Sequence, residues 1–190
     1  MHTTNHLIQL KIFLRGSDPL IWRQMLVYDT ISFHYLNYAI QLCMGWENQH
    51  LYEFKVFDYS IGIPSPEFEN IVDAKTVTLG SVITEMGENF SYTYDFGDNW
   101  QHSVETEAIL PIDRTKIYPF CIDGKMNCPP EDCGGIAGFY NLLEILKNKK
   151  HPAYKAMREW AGRYNPEKFN IEKTNKKLRG LPQFMGESEW

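Results

Sequence analysis

The densest run of side chains able to do chemistry falls between Phe90 and Gly135, with three of the four cysteines. Asp95 and Asp98 bracket a short turn, Trp100 and His102 follow it, and Cys121, Cys128 and Cys133 stand in the next loop beside Glu131 and Asp132. Two chemistries fit these residue types. Cysteines spaced C-x6-C-x4-C, completed by His102 or His50, offer the four soft or borderline ligands that zinc takes, although the close C-x2-C pair of common knuckles is missing. Alternatively, Asp95, Asp98, Glu131 and Asp132 supply oxygen ligands for a hard divalent cation in phosphoester hydrolysis, with His102 as base. Each has a bland counterpart. Cysteines bury well as free thiols, Asp95 and Asp98 suit turn formation, and Asp132 suits the start of a helix, where a carboxylate complements exposed amides.

The catalytic candidates are therefore His102, Asp98 and Glu131, in a site lined by Tyr94, Asp95, Trp100 and Asp132, with His50 and Glu53 as neighbours from an adjoining strand. Convergence of His102, Asp98 and Glu131 in one concave pocket would favour an enzyme; dispersal would favour structural roles. No phosphate loop, dinucleotide fingerprint, HExxH or GxSxG motif occurs, so no cofactor is expected and zinc is the one candidate ion of the cysteine loop. Asp95-Phe96-Gly97 imitates a kinase triplet, but without the other kinase motifs the match is accidental.

The elements that must position these groups are readable from period. Ile8, Leu10, Ile12 and Leu14 alternate with Gln9, Lys11 and Phe13, and after the turn residues Gly16 to Pro19 alternation resumes with Ile21, Met25 and Val27. That predicts an antiparallel hairpin of strands over 7–15 and 20–28, with Arg23 facing solvent or laying its stem over Trp22. Phe33, Leu36, Ile40 and Cys43 mark a helix over 33–44, with Ser32 as N-cap, Gly45 as stop and His34 on its surface or in packing. Further strands are expected over 51–57, 90–94 and 100–109, and a short helix over Leu79, Val82, Ile83 and Met86. Residues 58–73 and 112–133 read as irregular loops. Helical stripes over Ile136–Leu146, Tyr154–Trp160 and Ile171–Leu178 make the carboxy-terminal third helical. The expected architecture is α+β: a single domain spanning 1–190, core about 5–180, with 181–190 as a loose tail and the helices packing a mainly antiparallel sheet.

Charge is unevenly placed. Residues 1–146 carry 8 Lys/Arg against 19 Asp/Glu, whereas 147–179 carry 11 against 3. An acidic body disfavours a broad nucleic-acid surface, but the basic segment 147–179 offers phosphate or an acidic protein a local contact. With no apolar run of about 18 residues and no basic-then-apolar amino terminus, a soluble cytoplasmic chain away from membranes is expected. Four cysteines in that setting are expected to remain thiols.

Several stretches together resemble a known family. They are Gly16-Ser17-Asp18-Pro19-Leu20-Ile21-Trp22-Arg23, Met44-Gly45-Trp46, His50-Leu51-Tyr52-Glu53-Phe54, Tyr92 to His102 around Asp95-Phe96-Gly97-Asp98-Asn99, Cys128 to Gly135, and Asn165-Pro166-Glu167-Lys168-Phe169. Over about residues 5–180 they resemble, in order, the plasmid pRiA4b ORF-3-like family. The resemblance implies a passenger protein of plasmids and insertion sequences, here read as an accessory or binding module with a protein or nucleic-acid partner. The alternative is a metal-dependent hydrolase or nuclease with its site between the 90–109 hairpin and the 121–135 loop. The resolvase-like label that some members carry does not suit this chain. A serine recombinase needs clustered arginines, and the first 146 residues hold only Arg15, Arg23 and Arg114, far apart in sequence.

Overall fold

The computed structural model describes residues 6–66 and 70–181; the expected tail lies outside the described residues from 182 onward. Among the described residues eight strands are formed: β1 (His6–Leu14), β2 (Trp22–Tyr28), β3 (Tyr52–Val56), β4 (Tyr59–Gly62), β5 (Ile71–Asp73), β6 (Asn89–Tyr94), β7 (Trp100–Pro111) and β8 (Phe120–Lys125). They make one sheet in the order β5-β4-β3-β6-β7-β1-β2-β8, antiparallel throughout except for the β4–β5 pair. The α+β class with a mainly antiparallel sheet is thus what the chain forms. No helix among the described residues is long and apolar enough to cross a membrane.

Alternation sends one row of side chains from every long strand to the same face. Leu10 and Ile12 of β1, Met25 and Val27 of β2, Phe54 of β3, Tyr92 of β6 and Trp100 and Val104 of β7 are all buried there. Across this face lies α1 (Phe33–Met44), capped by the Ser32 hydroxyl accepting from Tyr35 N–H at 3.3 Å. It ends at Gly45, whose φ of 101° is the left-handed conformation that lets its N–H close on Gln41 O at 2.7 Å. Because α5 (Ile171–Arg179) packs against its far side, α1 is buried almost all round, and its polar residues must be satisfied internally. Tyr92 does this: its hydroxyl donates to Asn37 Oδ1 at 2.6 Å and accepts from Gln41 Nε2 at 2.7 Å. His34, read as a surface or packing residue, is packed edge-on against Tyr38.

Four local expectations need correction. The loop foreseen over 58–73 contains β4 and β5, two short strands that finish one side of the sheet, and the irregular stretch over 112–133 contains β8, which pairs with β2 through a bulge at Gln24/Met25. The short helix α2 (Leu79–Val82) stops before Met86, which is exposed. Arg23 is neither at the surface nor over Trp22. It shares the inward parity of Met25 and Val27 and is 1% exposed. The remaining helices are α3 (Gly135–Lys147) and α4 (Tyr154–Ala161).

Candidate functional site

Where α1 stops at Gly45, the chain leaves the sheet face and Trp46 fills the gap. Its indole stacks on Tyr94 at 5.3 Å, leans on Trp100 at 5.6 Å and meets His102 edge-on at 5.5 Å. Its Nε1 donates to Pro129 O at 2.9 Å, so this one side chain ties the helix end, the central hairpin and the loop before α3 together. The following residues are then laid over the β6–β7 turn, with Gln49 N–H donating to the Tyr94 hydroxyl at 2.9 Å.

Five side chains converge on that platform. Tyr94 OH donates to Glu131 Oε1 at 2.6 Å, and Glu131 Oε2 accepts from Glu47 N–H at 2.8 Å, so this carboxylate is held at both oxygens. Burial and the adjoining Glu131 carboxylate push the Tyr94 phenol well above its ordinary range, leaving it a proton donor and not a phenolate. Beside them His50 Nε2 lies 3.2 Å from Asp132 Oδ1 and 3.7 Å from Asp95 Oδ2. Asp95 occupies the turn at φ 54°, with Oδ1 accepting from Gly97 N–H at 2.9 Å. Asp132 stands out from the surface on the opposite loop, its side chain 72% exposed.

This cluster forms one rim of a cleft of about 710 Å³. His50, Glu131 and Asp132 line the rim, Lys173 and Lys177 of α5 line the far wall, and Cys128 and Phe169 lie toward the floor. Arg23 also lines the cleft. Its Nε donates to Cys43 O at 2.9 Å at the end of α1, and Nη1 donates to Trp22 O and Lys125 O at 2.7 and 3.0 Å. Nη2 approaches Cys128 Sγ at 3.5 Å, and the Phe169 ring covers the guanidinium at 4.1 Å. The cation therefore meets the negative end of the α1 dipole and holds α1, β2, β8 and the 128–132 loop in one arrangement.

Of the residues singled out from sequence, His50, Tyr94, Asp95, Glu131 and Asp132 are brought together. His102, Asp98 and Glu131 do not converge. His102 is fully buried beneath Trp46, its Nδ1 is 3.2 Å from Tyr92 O, and burial lowers its pKa to about 4, so it is a neutral packing group with no access to the cleft. Trp100 lies in the same buried layer. Asp98 accepts from Gly134 N–H at 3.1 Å and so docks the turn onto the loop before α3. Glu53 pairs with Lys55 at 3.6 Å, on the strand face opposite Tyr52 and Phe54.

The cysteines also disperse. Cys121 Sγ donates to Asp123 O at 3.3 Å, and its interaction with Cys43 lowers the Cys121 pKa and raises that of Cys43; Cys128 Sγ rests on Met44 Sδ at 3.0 Å; Cys133 Sγ faces Gly135 O at 3.9 Å. Burial raises the Cys128 pKa and pushes Cys133 up to about 12, so both are protonated thiols at neutral pH. Among the described residues, the group of His, Cys, Asp and Glu side chains whose donor atoms share one small volume is His50, Asp95 and Asp132, and not the three cysteines with His102. Trp46, Arg23, Lys173 and Lys177 were not foreseen as parts of the site. Arg23 carried one signal, its place on the inward parity of β2, and the two lysines another, the basic segment 147–179.

The sequence model of the plasmid pRiA4b ORF-3-like protein family matches residues 6–173. The chain is 35% identical over 178 residues to the uncharacterized protein y4hQ of Sinorhizobium fredii, covering 92% of this chain and 91% of the relative. A crystal structure of a protein of unknown function from Methanosarcina mazei Go1 superposes with a TM-score of 0.83 at 36% identity, covering 90% of this chain and 98% of that one. The chain therefore belongs to the plasmid pRiA4b ORF-3-like family.

Proposed function

We propose that this family member is a cytoplasmic accessory module of mobile-element origin that binds nucleic acid through the cleft between the His50/Glu131/Asp132 rim and α5. The observation that carries this reading is the lysine wall: Lys173 and Lys177 face the cleft. They belong to the basic segment 147–179, in which 11 Lys/Arg stand against 3 Asp/Glu. A phosphate backbone drawn to that wall releases condensed counterions, so binding should weaken steeply as salt rises. Labelled single- and double-stranded DNA and RNA oligonucleotides, titrated with purified protein, test this. Salt-dependent binding lost in the Lys173→Gln/Lys177→Gln double variant supports it. Absence of binding to all three, with specific capture of an acidic protein instead, overturns the nucleic-acid assignment.

A second reading, a metal-dependent hydrolase or nuclease, is favoured by one specific arrangement. His50, Asp95 and Asp132 present three ligand atoms within 4.8 Å of one another, next to a carboxylate, Glu131, held by Tyr94 and the Glu47 amide. A metal there would polarise a phosphoryl oxygen or lower the pKa of a bound water, and the α5 lysines would hold the substrate's charge. Phosphodiester turnover that disappears in Asp132→Asn protein of unchanged fold would select this reading. No turnover with any divalent metal would dismiss it.

A further inference from the structure

We infer that the α5 side of the cleft is a pocket for a terminal phosphate monoester, formed by Arg23, Lys173, Thr174 and Lys177. Helical spacing builds one wall of it. Asn170, Lys173, Thr174 and Lys177 stand at i, i+3, i+4 and i+7, so they share one face of α5, and all four line the cleft. Among the described residues neither lysine ammonium is paired with a carboxylate or hydrogen-bonded. Thr174 is 8% exposed, yet its hydroxyl has no hydrogen-bond partner among the described residues. A hydroxyl this far buried, left open on a cleft wall, calls for a ligand that accepts from it.

Arg23 points to an anion independently of α5. It is 1% exposed, and no carboxylate among the described residues neutralises it. Of the five N–H donors of a guanidinium, Nε gives one to Cys43 O and Nη1 gives two, to Trp22 O and Lys125 O. Nη2 carries the other two and meets only Cys128 Sγ, at 3.5 Å, a weak acceptor. Trp22 and Lys125 lie outside the cleft lining and Cys128 lies within it, so Nη2 is the end of the guanidinium nearest the cleft. A buried cation in this state is costly, and an anion in the cleft supplies both its counter-charge and the missing acceptor.

The donor set selects the class of anion. Arg23, Lys173 and Lys177 are lysines and arginine of the lining; Glu47, Glu131 and Asp132 are its carboxylates, the last two on the rim across from α5, which repels an anion toward the cations. A phosphodiester within a strand carries one negative charge and has sugar on both sides, which keeps it away from a guanidinium so little exposed. A terminal monoester carries about −1.5 to −2 at pH 7 and has three acceptor oxygens, enough for Nη2, the Thr174 hydroxyl and the two ammonium groups together. The competing explanation, an arginine that only ties α1 to β2 and β8, accounts for the three carbonyl bonds. It leaves the Nη2 hydrogens, the Thr174 hydroxyl and the lysine pair without a purpose. That the phosphate is the end of a nucleic acid rests on the proposed function, while the pocket itself does not.

The test compares probes that differ only in the phosphate. Full-length protein is titrated by calorimetry with adenosine 5′-monophosphate and with adenosine, and by fluorescence anisotropy with one DNA oligonucleotide carrying a 5′-phosphate or a 5′-hydroxyl. The phosphorylated probe should bind at least about tenfold more tightly, the effect of one hydrogen bond to a charged group. That advantage should vanish in Lys173→Gln/Lys177→Gln and shrink in Thr174→Val. Both lysines are exposed and valine matches threonine in shape, so these variants keep the fold, which circular dichroism checks. Arg23→Met should lose the advantage too, and if it fails to fold the other two variants still decide. No preference for phosphate in either pair of probes, or a preference that survives the lysine variant, overturns the pocket. Oligonucleotide binding that ignores the 5′-phosphate, with no preference for the mononucleotide over adenosine, dismisses the pocket and leaves the proposed function standing. Preferential binding of the mononucleotide with no oligonucleotide bound does the reverse.

Discussion

Replacing Arg23 tests how the site is held together. The side chain makes three hydrogen bonds to backbone carbonyls at 2.7–3.0 Å and is stacked under Phe169 at 4.1 Å. Hydrogen bonds to a charged group contribute about 1.5–3 kcal/mol each, and each carbonyl left buried without a donor costs about 1–3 kcal/mol. Working against this, removing a buried cation that no carboxylate among the described residues neutralises relieves a desolvation cost of several kcal/mol. The carbonyls decide the sign, because Cys43 O and Lys125 O have been drawn inward to meet the guanidinium and cannot all turn to water. Arg23→Ala also leaves a cavity beneath Phe169, and a net loss of about 3–5 kcal/mol is expected. Arg23→Met fills that space and should lose roughly 2–3 kcal/mol. Urea unfolding followed by tryptophan fluorescence measures both. A methionine variant as stable as wild type would refute the reasoning, since desolvation relief would then outweigh the carbonyl bonds.

Three further outcomes follow from the same geometry. His102 titrates near 6.5 when unfolded and is held at about 4 by burial, so between those values only the unfolded chain takes up the proton. Stability is full above pH 6.5 and falls by about 3 kcal/mol as pH drops toward 4; His102→Phe should flatten that slope in urea titrations, and equal slopes would contradict the assignment. Trp46→Phe keeps a ring against Tyr94 but leaves Pro129 O without its donor, and should lower stability by about 1–2 kcal/mol in the same assay. Gly135 has a φ of 65° and an added Cβ would lie 2.3 Å from Asp98 O, so Gly135→Ala should cost at least about 2 kcal/mol and shift the thermal midpoint downward.

What was legible in the sequence was what local period encodes. The β1–β2 hairpin, α1 and the β6–β7 hairpin each carry a run of alternating or helical apolar residues, and the turn at Asp95 to Asn99 announces itself through its residue types. β8 did not, because Phe120-Cys121-Ile122-Asp123-Gly124-Lys125 carries poor strand formers and has its register displaced by a bulge. β4 and β5 are too short to show a period. Within the site, density of reactive types pointed to Tyr94, Asp95, Glu131 and Asp132, whereas His50 and Glu53 were both placed as neighbours from an adjoining strand, and strand parity turns Glu53 away from the Tyr52 face. His102 was chosen for its chemistry, although its parity with Trp100 and Val104 sends it into the core. The α5 wall depends on a helix returning from the far end of the chain to pack on α1 and β8, and no local pattern encodes such a contact.

The most direct test of the claim that this cleft receives nucleic acid is the salt dependence of oligonucleotide affinity in wild type and in the Lys173→Gln/Lys177→Gln variant. Each phosphate contact on duplex DNA contributes about 0.9 to the slope of log affinity against log salt, so removal of two lysines should flatten it by about 1.8. A slope that is unchanged in the variant, or binding that ignores salt altogether, would contradict the account.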